Sequence, residues 1–145
     1  MNMMDCYLLD ANAIREMQYD ILRDWCSCVC TIEEVIDEIG RDKDKAKLLT
    51  QKGRVCTLNK NGYKIMGNIM QLNNVRKLVD YFYNHGTGDV AILAFALQMS
   101  SEQEARLVKD NIVVVTNDKG VQNACHELHV KYLSTAQFKD TLVYV

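Results

Sequence analysis

The chain has 145 residues, which suits one domain over 1–145, and a domain of this length needs no disulfide or metal to hold its fold. Apolar residues make up 48% and charged residues 25%, close to the globular average, which excludes long disorder. The net charge is −2, no apolar stretch nears the 18 or so residues of a membrane span, and the N-terminus lacks the basic start of a signal peptide. We therefore expect a cytoplasmic protein that does not enter a membrane.

The first forty residues alternate between strand and helix patterns. Residues 6–9 form an apolar run typical of a short buried strand, and 13–25 carry apolar residues at helical spacing. A second short strand is predicted over 27–30. Thr31 is predicted to cap the next helix, with Glu34 completing a capping box, and this helix is expected to end near Gly40.

The middle of the chain is more polar. A charged helix is predicted over 43–52 and a strand over 55–58. Residues 63–83 follow a helical pattern that we expect to be broken at Gly67 or at 73–74.

The last third returns to strong apolar patterns. A turn at 86–88 precedes a helix over 89–99 that is apolar nearly all round and is therefore predicted to be central. Residues 112–115 form a β-branched strand, followed by a helix over 119–129, a strand over 130–133 and a final short helix. Strands separated by helices predict an α/β fold with a central parallel sheet flanked by helices.

Two acids stand where predicted strands end. Asp10 follows the first strand, and Asp118 comes shortly after the strand 112–115. Ligands of open parallel sheets bind beyond the carboxyl ends of the strands, so these side chains are candidates for one site. Asp89 begins the central helix and Glu38 lies in the last turn of its helix. Each acid alone has an ordinary explanation as a helix cap, a dipole partner or a surface charge.

Four segments together resemble the PIN-domain ribonucleases. They are YLLDANAI at 7–14, TIEEVIDEIG at 31–40, GTGDVAILAFAL at 86–97 and VVVTNDKGVQNACHELHVKYLST at 113–135. They occur in the order of the family's four acidic motifs and cover about half of the chain. The full length is also similar to that of VapC-type toxins from toxin–antitoxin pairs.

The resemblance implies a PIN-like domain with a pocket for Mg²⁺ or Mn²⁺. It assigns catalysis and metal binding to four acids, with three polar residues in support: Asp10, Glu38, Asp89 and Asp118, then Asn12, Thr116 and Asn117. Glu34, one turn before Glu38, could share or replace its role. Four carboxylates suit hard divalent cations, which take oxygen ligands and activate water against a phosphodiester.

A basic segment could hold a polyanion near this pocket. Residues 41–64 have a charge balance of +6, and the rest of the chain has −8. Candidates for contacts with RNA are Arg15, Arg41 and Lys43. The ordinary alternative is a solvated helix and turn.

The sequence thus favours a metal-dependent endoribonuclease acting on RNA, with the resemblance implying a homodimer and an antitoxin partner. The alternative is a PIN-like module that binds RNA or protein with weak or no catalysis. A receiver-type domain is disfavoured because the strand 55–58 is not followed by an aspartate. Six cysteines are expected to be thiols, with a zinc site as the minor alternative.

Overall fold

The computed structural model describes residues 5–40, 42–82, 88–103 and 111–143, and its centre is a parallel sheet. The strands in these ranges are β1 (Asp5–Leu9), β2 (Val29–Ile32), β3 (Val55–Cys56), β4 (Asn111–Val115) and β5 (Lys131–Leu133). Their spatial order is β3-β2-β1-β4-β5, and all pairs run parallel. The predicted α/β architecture is confirmed.

Helices flank the sheet and connect its strands. The described helices are α1 (Ala11–Glu16), α2 (Tyr19–Asp24), α3 (Glu33–Ile39), α4 (Lys43–Gln51), α5 (Lys60–Ile69), α6 (Asn73–Phe82), α7 (Gly88–Glu102), α8 (Lys119–Glu127) and α9 (Thr135–Val143). Helix α7 is buried along most of its length, as its apolar sequence predicts. None of the described helices is both long and apolar enough to cross a membrane.

The predicted helix over 13–25 is two helices, so that prediction was wrong in its length. Helix α1 ends at Met17, whose backbone is extended and whose side chain is buried. The last carbonyls of α1 are satisfied from outside the helix: Lys45 Nζ donates to the oxygens of Ile14 and Arg15 at 3.0 and 2.9 Å. Because these bonds come from a distant helix, the local apolar pattern could not show where α1 stops.

The second strand begins later than predicted, and Thr31 is not a helix cap. Residues Cys26–Cys28 form a short 3₁₀ turn, and Thr31 lies within β2. Its hydroxyl donates to the Leu9 carbonyl of β1 at 2.8 Å. The cap position of α3 is Ile32, which makes no side-chain capping bond. The hydroxyl ties two strands together, so no capping box forms with Glu34.

Of the two predicted break points in the region 63–83, the one at 73–74 agrees with the structure, which has two helices there. Helix α5 runs through Gly67, and α6 begins at Asn73. Strand β3 is shorter than the predicted 55–58 and ends at Cys56. The predicted turn at 86–88 falls mostly outside the described residues.

Candidate functional site

Strands β1 and β4 lie side by side, with Leu9 paired to Val115 at their carboxyl ends. The ladder continues one step further, because the Asp10 amide donates to the Val115 carbonyl at 3.2 Å. Asp10 and Thr116 are therefore neighbours just beyond the sheet. The two strand-end acids follow adjacent strands even though they are far apart in sequence.

Asp10 is buried, with 3% of its surface exposed. Hydrogen bonds fix the direction of its carboxylate. Its Oδ1 accepts from the Ala13 amide at 2.8 Å and caps α1. Burial raises the pKa of Asp10; hydrogen bonds from the Thr116 hydroxyl and the Ala13 amide oppose that rise, while the charges of Asp118 and Glu16 add to it.

Asp118 is the counterpart of Asp10 at the start of α8. Its Oδ1 accepts from the Val121 amide at 3.1 Å and caps that helix. Its own amide donates to Thr116 Oγ1 at 3.1 Å. The hydroxyl of Thr116 therefore contacts both the Asp118 amide and the Asp10 carboxyl.

Glu38 reaches the site from the last turn of α3 and binds the start of α7. Its Oε1 accepts from the Gly88 amide at 2.8 Å. A Cβ on Gly88 would lie 2.5 Å from the same oxygen, so only glycine allows this approach. Burial raises the pKa of Glu38, which the Gly88 bond and the Arg15 charge oppose.

The four acids line one small cavity of about 130 Å³. Its lining residues are Asp10, Ala11, Asn12, Arg15, Glu38, Asp89 and Asp118. Burial, reinforced by the charges of Asp10, Asp118 and Glu38, raises the pKa of Asp89 to about 7. The negative charges of three cavity acids thus add to the effect of burial on the fourth.

Arg15 supplies the positive charge among these lining residues. It is exposed, and its guanidinium donates to Asn12 Oδ1 at 2.9 Å and to the Glu38 carbonyl at 2.7 Å. Asn12 thus holds the arginine at the rim of the cavity.

Several predicted residues lie elsewhere. Asn117 turns away from the cavity: its amide nitrogen contacts the Glu16 carboxylate, and its oxygen accepts from the Thr135 amide. Glu34 is not among the lining residues, and its buried Oε2 has no hydrogen-bond partner within the described part of the chain. Lys43 is exposed on α4, beside a different hollow. Arg41 lies outside the described residues.

The missed contributor to the site is Gly88, whose amide positions Glu38. The sequence signal was present, because a glycine immediately precedes the acid at the start of the central helix.

The donor set fits a hard divalent cation. The cavity's described lining residues offer carboxylate oxygens and the Asn12 amide oxygen, and none of those residues carries sulfur. Within the described residues, no three His, Cys, Asp or Glu side chains are arranged to hold an ion as they stand. Mg²⁺ commonly uses only one or two carboxylates, with waters and phosphate oxygens for the rest.

Comparison with known proteins identifies the fold. Neither the family models nor the curated proteins give a match to the chain. Among solved structures, the PIN domain of T. brucei RRP44 matches with a TM-score of 0.61 and 13% identity, covering 97% of this chain and 83% of that one. The chain therefore has a PIN-like fold.

Proposed function

We propose that the chain is a divalent-metal-dependent endoribonuclease and that the acidic cavity is its active site. The observation that carries this proposal is the convergence of four carboxylates, from three helix starts and one helix end, on one small cavity. The PIN-like fold supports the same class of reaction by analogy alone.

Asp10, Glu38, Asp89 and Asp118 would hold Mg²⁺ or Mn²⁺ in this cavity. The bound cation would supply a lowered pKa of coordinated water and polarisation of a phosphoryl oxygen. The backbone amides of Ala13 and Val121 hold Asp10 and Asp118 in place before any ligand arrives. Because these two carboxylates are already in place, the site does not have to arrange them during the reaction.

Two residues are given further roles. Asp89, whose pKa is raised to about 7, would have to lose its proton to ligate a cation, so cation affinity should rise with pH. Arg15 stands at the rim with its guanidinium held by Asn12, where it can pair with a phosphate oxygen of the RNA strand. Helix α4 contacts the end of α1, the helix that carries Arg15, through Lys45.

Cleavage of labelled RNA tests the proposal directly. We expect cutting with Mg²⁺ or Mn²⁺ and none with EDTA. Asp10→Asn and Asp118→Asn should each lose at least a hundredfold in rate, about 2.7 kcal/mol of transition-state stabilisation. Asp37→Asn is the matched control, because Asp37 is exposed on α3 next to Glu38 and does not line the cavity. Cleavage in EDTA, or full activity in both cavity variants, would refute the mechanism.

The same assay separates the enzyme from a binding module. A catalytically weak PIN-like module would bind RNA or a protein with the same affinity in the wild type and in Asp118→Asn, with no cleavage by either. The intact acidic set favours the enzyme.

We also propose a VapC-type toxin role, which rests on the order of the motifs and the chain length. Expression should arrest growth in the wild type and not in Asp118→Asn, and an antitoxin would relieve the arrest.

A homodimer is the proposed assembly; exposed Tyr63, Met70 and Leu72 on and after α5 offer it apolar surface. A single monomer mass at high concentration in light scattering would reject the dimer.

A further inference from the structure

Tyr19, at the start of α2, lines two neighbouring hollows on the surface of the protein. It is 41% exposed, so its side chain is open to solvent. One hollow has a volume of about 350 Å³, and its other described lining residues are Asp44, Lys47, Leu48 and Gln51. The second has a volume of about 230 Å³, and its other described lining residues are Asp42, Lys43, Asp44 and Lys45. Because Tyr19 and Asp44 line both hollows, the two form one continuous surface, which we call the Tyr19 surface.

The Tyr19 surface begins one contact away from the acidic cavity. Lys45 lines one of its hollows, and Lys45 Nζ donates to the Arg15 carbonyl at 2.9 Å. Arg15 in turn lines the acidic cavity. Tyr19 follows Arg15 by four residues, so their Cα atoms are at most about 14 Å apart. Tyr19 therefore lies within a few nucleotides of a phosphate bound at the cavity.

Positive charge on the Tyr19 surface is in small excess. Its described charged residues are three lysines and two aspartates: Lys43, Lys45, Lys47, Asp42 and Asp44. The Arg15 guanidinium adds a further positive charge at the rim of the cavity. This balance attracts a polyanion only weakly, so charge by itself does not give tight binding. An exposed tyrosine adds a second kind of contact, because an aromatic ring stacks on the face of a nucleobase.

The composition of the surface favours nucleic acid over a protein partner. A protein interface has an apolar centre, whereas the described lining residues here are polar or charged except for Tyr19 and Leu48. Leu48 is buried, so it offers a partner little contact. Lysines beside an exposed aromatic ring are the combination that holds single strands, with cations along the backbone and the ring against a base. In an RNA duplex the base faces are stacked within the helix, where the ring cannot reach them.

We propose that the Tyr19 surface binds unpaired RNA next to the scissile phosphate, with one base stacked on the Tyr19 ring and the backbone beside the lysines of α4. This inference rests on the proposed nuclease function, because it makes single-stranded RNA the substrate class of that site. Every base has a face that can stack, so the surface selects for unpaired structure rather than for a particular base.

Fluorescence anisotropy tests the surface in EDTA, which prevents metal-dependent cleavage. The probes are a labelled oligouridylate and an RNA duplex of the same length. Tyr19→Ala should weaken binding of the single strand about tenfold, a loss within the range known for one base–aromatic stack, and leave duplex binding unchanged. Tyr19→Phe keeps the ring and should bind the single strand as the wild type does.

Tyr132→Ala is the matched control. Tyr132 is 38% exposed, close to the exposure of Tyr19, and it lies on β5 beside a different hollow. This variant should leave both affinities unchanged.

Salt dependence separates the stack from the charges. Lys47→Met should reduce the slope of log Kd against log salt for the single strand by about 0.7, the contribution of one phosphate contact. Tyr19→Ala should leave this slope unchanged, because a base stack releases no counterion.

Unchanged single-strand affinity in Tyr19→Ala, an equal loss for strand and duplex, or an equal loss in Tyr132→Ala would each overturn the proposal. So would a wild type that does not bind the single strand. Where a variant folds poorly, the wild type decides: an abasic strand of the same length should bind about tenfold more weakly than oligouridylate, and equal binding would overturn the proposal. Binding as expected without cleavage in Mg²⁺ would retain the Tyr19 surface and reject the nuclease function, whereas cleavage with unchanged binding in Tyr19→Ala would do the opposite.

Discussion

At the scale of single residues, Asp89 has a strongly raised pKa. Its pKa rises from 3.8 to about 7 because it is buried among three other carboxyls. The folded protein therefore binds a proton that the unfolded chain releases, so stability present at low pH is lost as the pH rises from about 4 to 7.

This shift predicts a pH-dependent gain from removing the charge. In EDTA, Asp89→Asn should be more stable than the wild type by up to about 4 kcal/mol at pH 8, because the shift of about 3 pH units is worth about 1.4 kcal/mol for each unit. The difference should vanish near pH 4, where both side chains are neutral. Urea unfolding at several pH values measures it.

Asp37→Asn is the control, because that exposed carboxyl lies outside the cavity. It should change stability by less than about 0.5 kcal/mol at either pH. A gain for Asp89→Asn that is equal at pH 4 and pH 8 would mean that charge repulsion is not its source.

At the scale of the element, the acids also begin helices. Asp10 caps α1 and Asp118 caps α8, each through Oδ1. From the sequence, a helix cap and a member of an acidic site were alternative roles for each of these acids. The geometry allows one side chain to have both roles. One carboxylate oxygen bonds the helix while the residue lines the cavity.

Because Asp118 both caps α8 and lines the cavity, we expect different results for two substitutions at this position. Asp118→Asn keeps an oxygen for the Val121 amide and should hold the unfolding free energy within about 0.5 kcal/mol or raise it. Asp118→Ala loses the cap and should cost about 1 kcal/mol. Thermal melts in EDTA compare the two, and equal stability of Ala and Asn would rule out a capping contribution.

Two glycines in helices should respond oppositely to alanine. Gly67 has no atom within 4 Å of an added Cβ, so Gly67→Ala in α5 should gain about 0.5–1 kcal/mol. Gly88→Ala should instead displace the Glu38 carboxylate, and it should reduce the rise in melting temperature that we expect Mg²⁺ to give the wild type. An unchanged metal-induced shift in Gly88→Ala would show that the Glu38 position is irrelevant to the cation.

Local patterns predicted most elements because apolar periodicity reflects burial. The apolar run at 112–115 is β4, and the helix over 89–99 is the interior of α7. The patterns could not predict features that depend on residues distant in sequence. Lys45 donates to a carbonyl at the end of α1, and the Thr31 hydroxyl donates to the Leu9 carbonyl. Asp10 and Asp118 could be grouped because each follows a strand, and the resemblance added Glu38 and Asp89. The bond from the Gly88 amide that positions Glu38 appears only in the folded chain.

At the scale of the whole molecule, some strands that are adjacent in the sheet are distant in sequence. Strand β1 lies between β2 and β4, and its longest pairing, five residue pairs, is with β4. Residues 5–9 therefore depend on residues 111–115 for one whole edge of hydrogen bonds. Such distant pairing slows folding, because a long loop must close before the contacts form.

The same order sets the moment in synthesis at which the cavity can exist. After β1 leaves the ribosome, about 100 further residues must be added before β4, which takes roughly 5–20 s at typical rates of 5–20 residues per second. Until then Asp10 has neither Thr116 nor Asp118 beside it. Nascent chains stalled before residue 111 should be digested by protease, and the 145-residue chain held clear of the ribosome by an added C-terminal linker should resist it. Resistance in the shorter chains would show that the first half folds alone. A cell making this protein would thus have a delay between starting each chain and exposing an assembled acidic site.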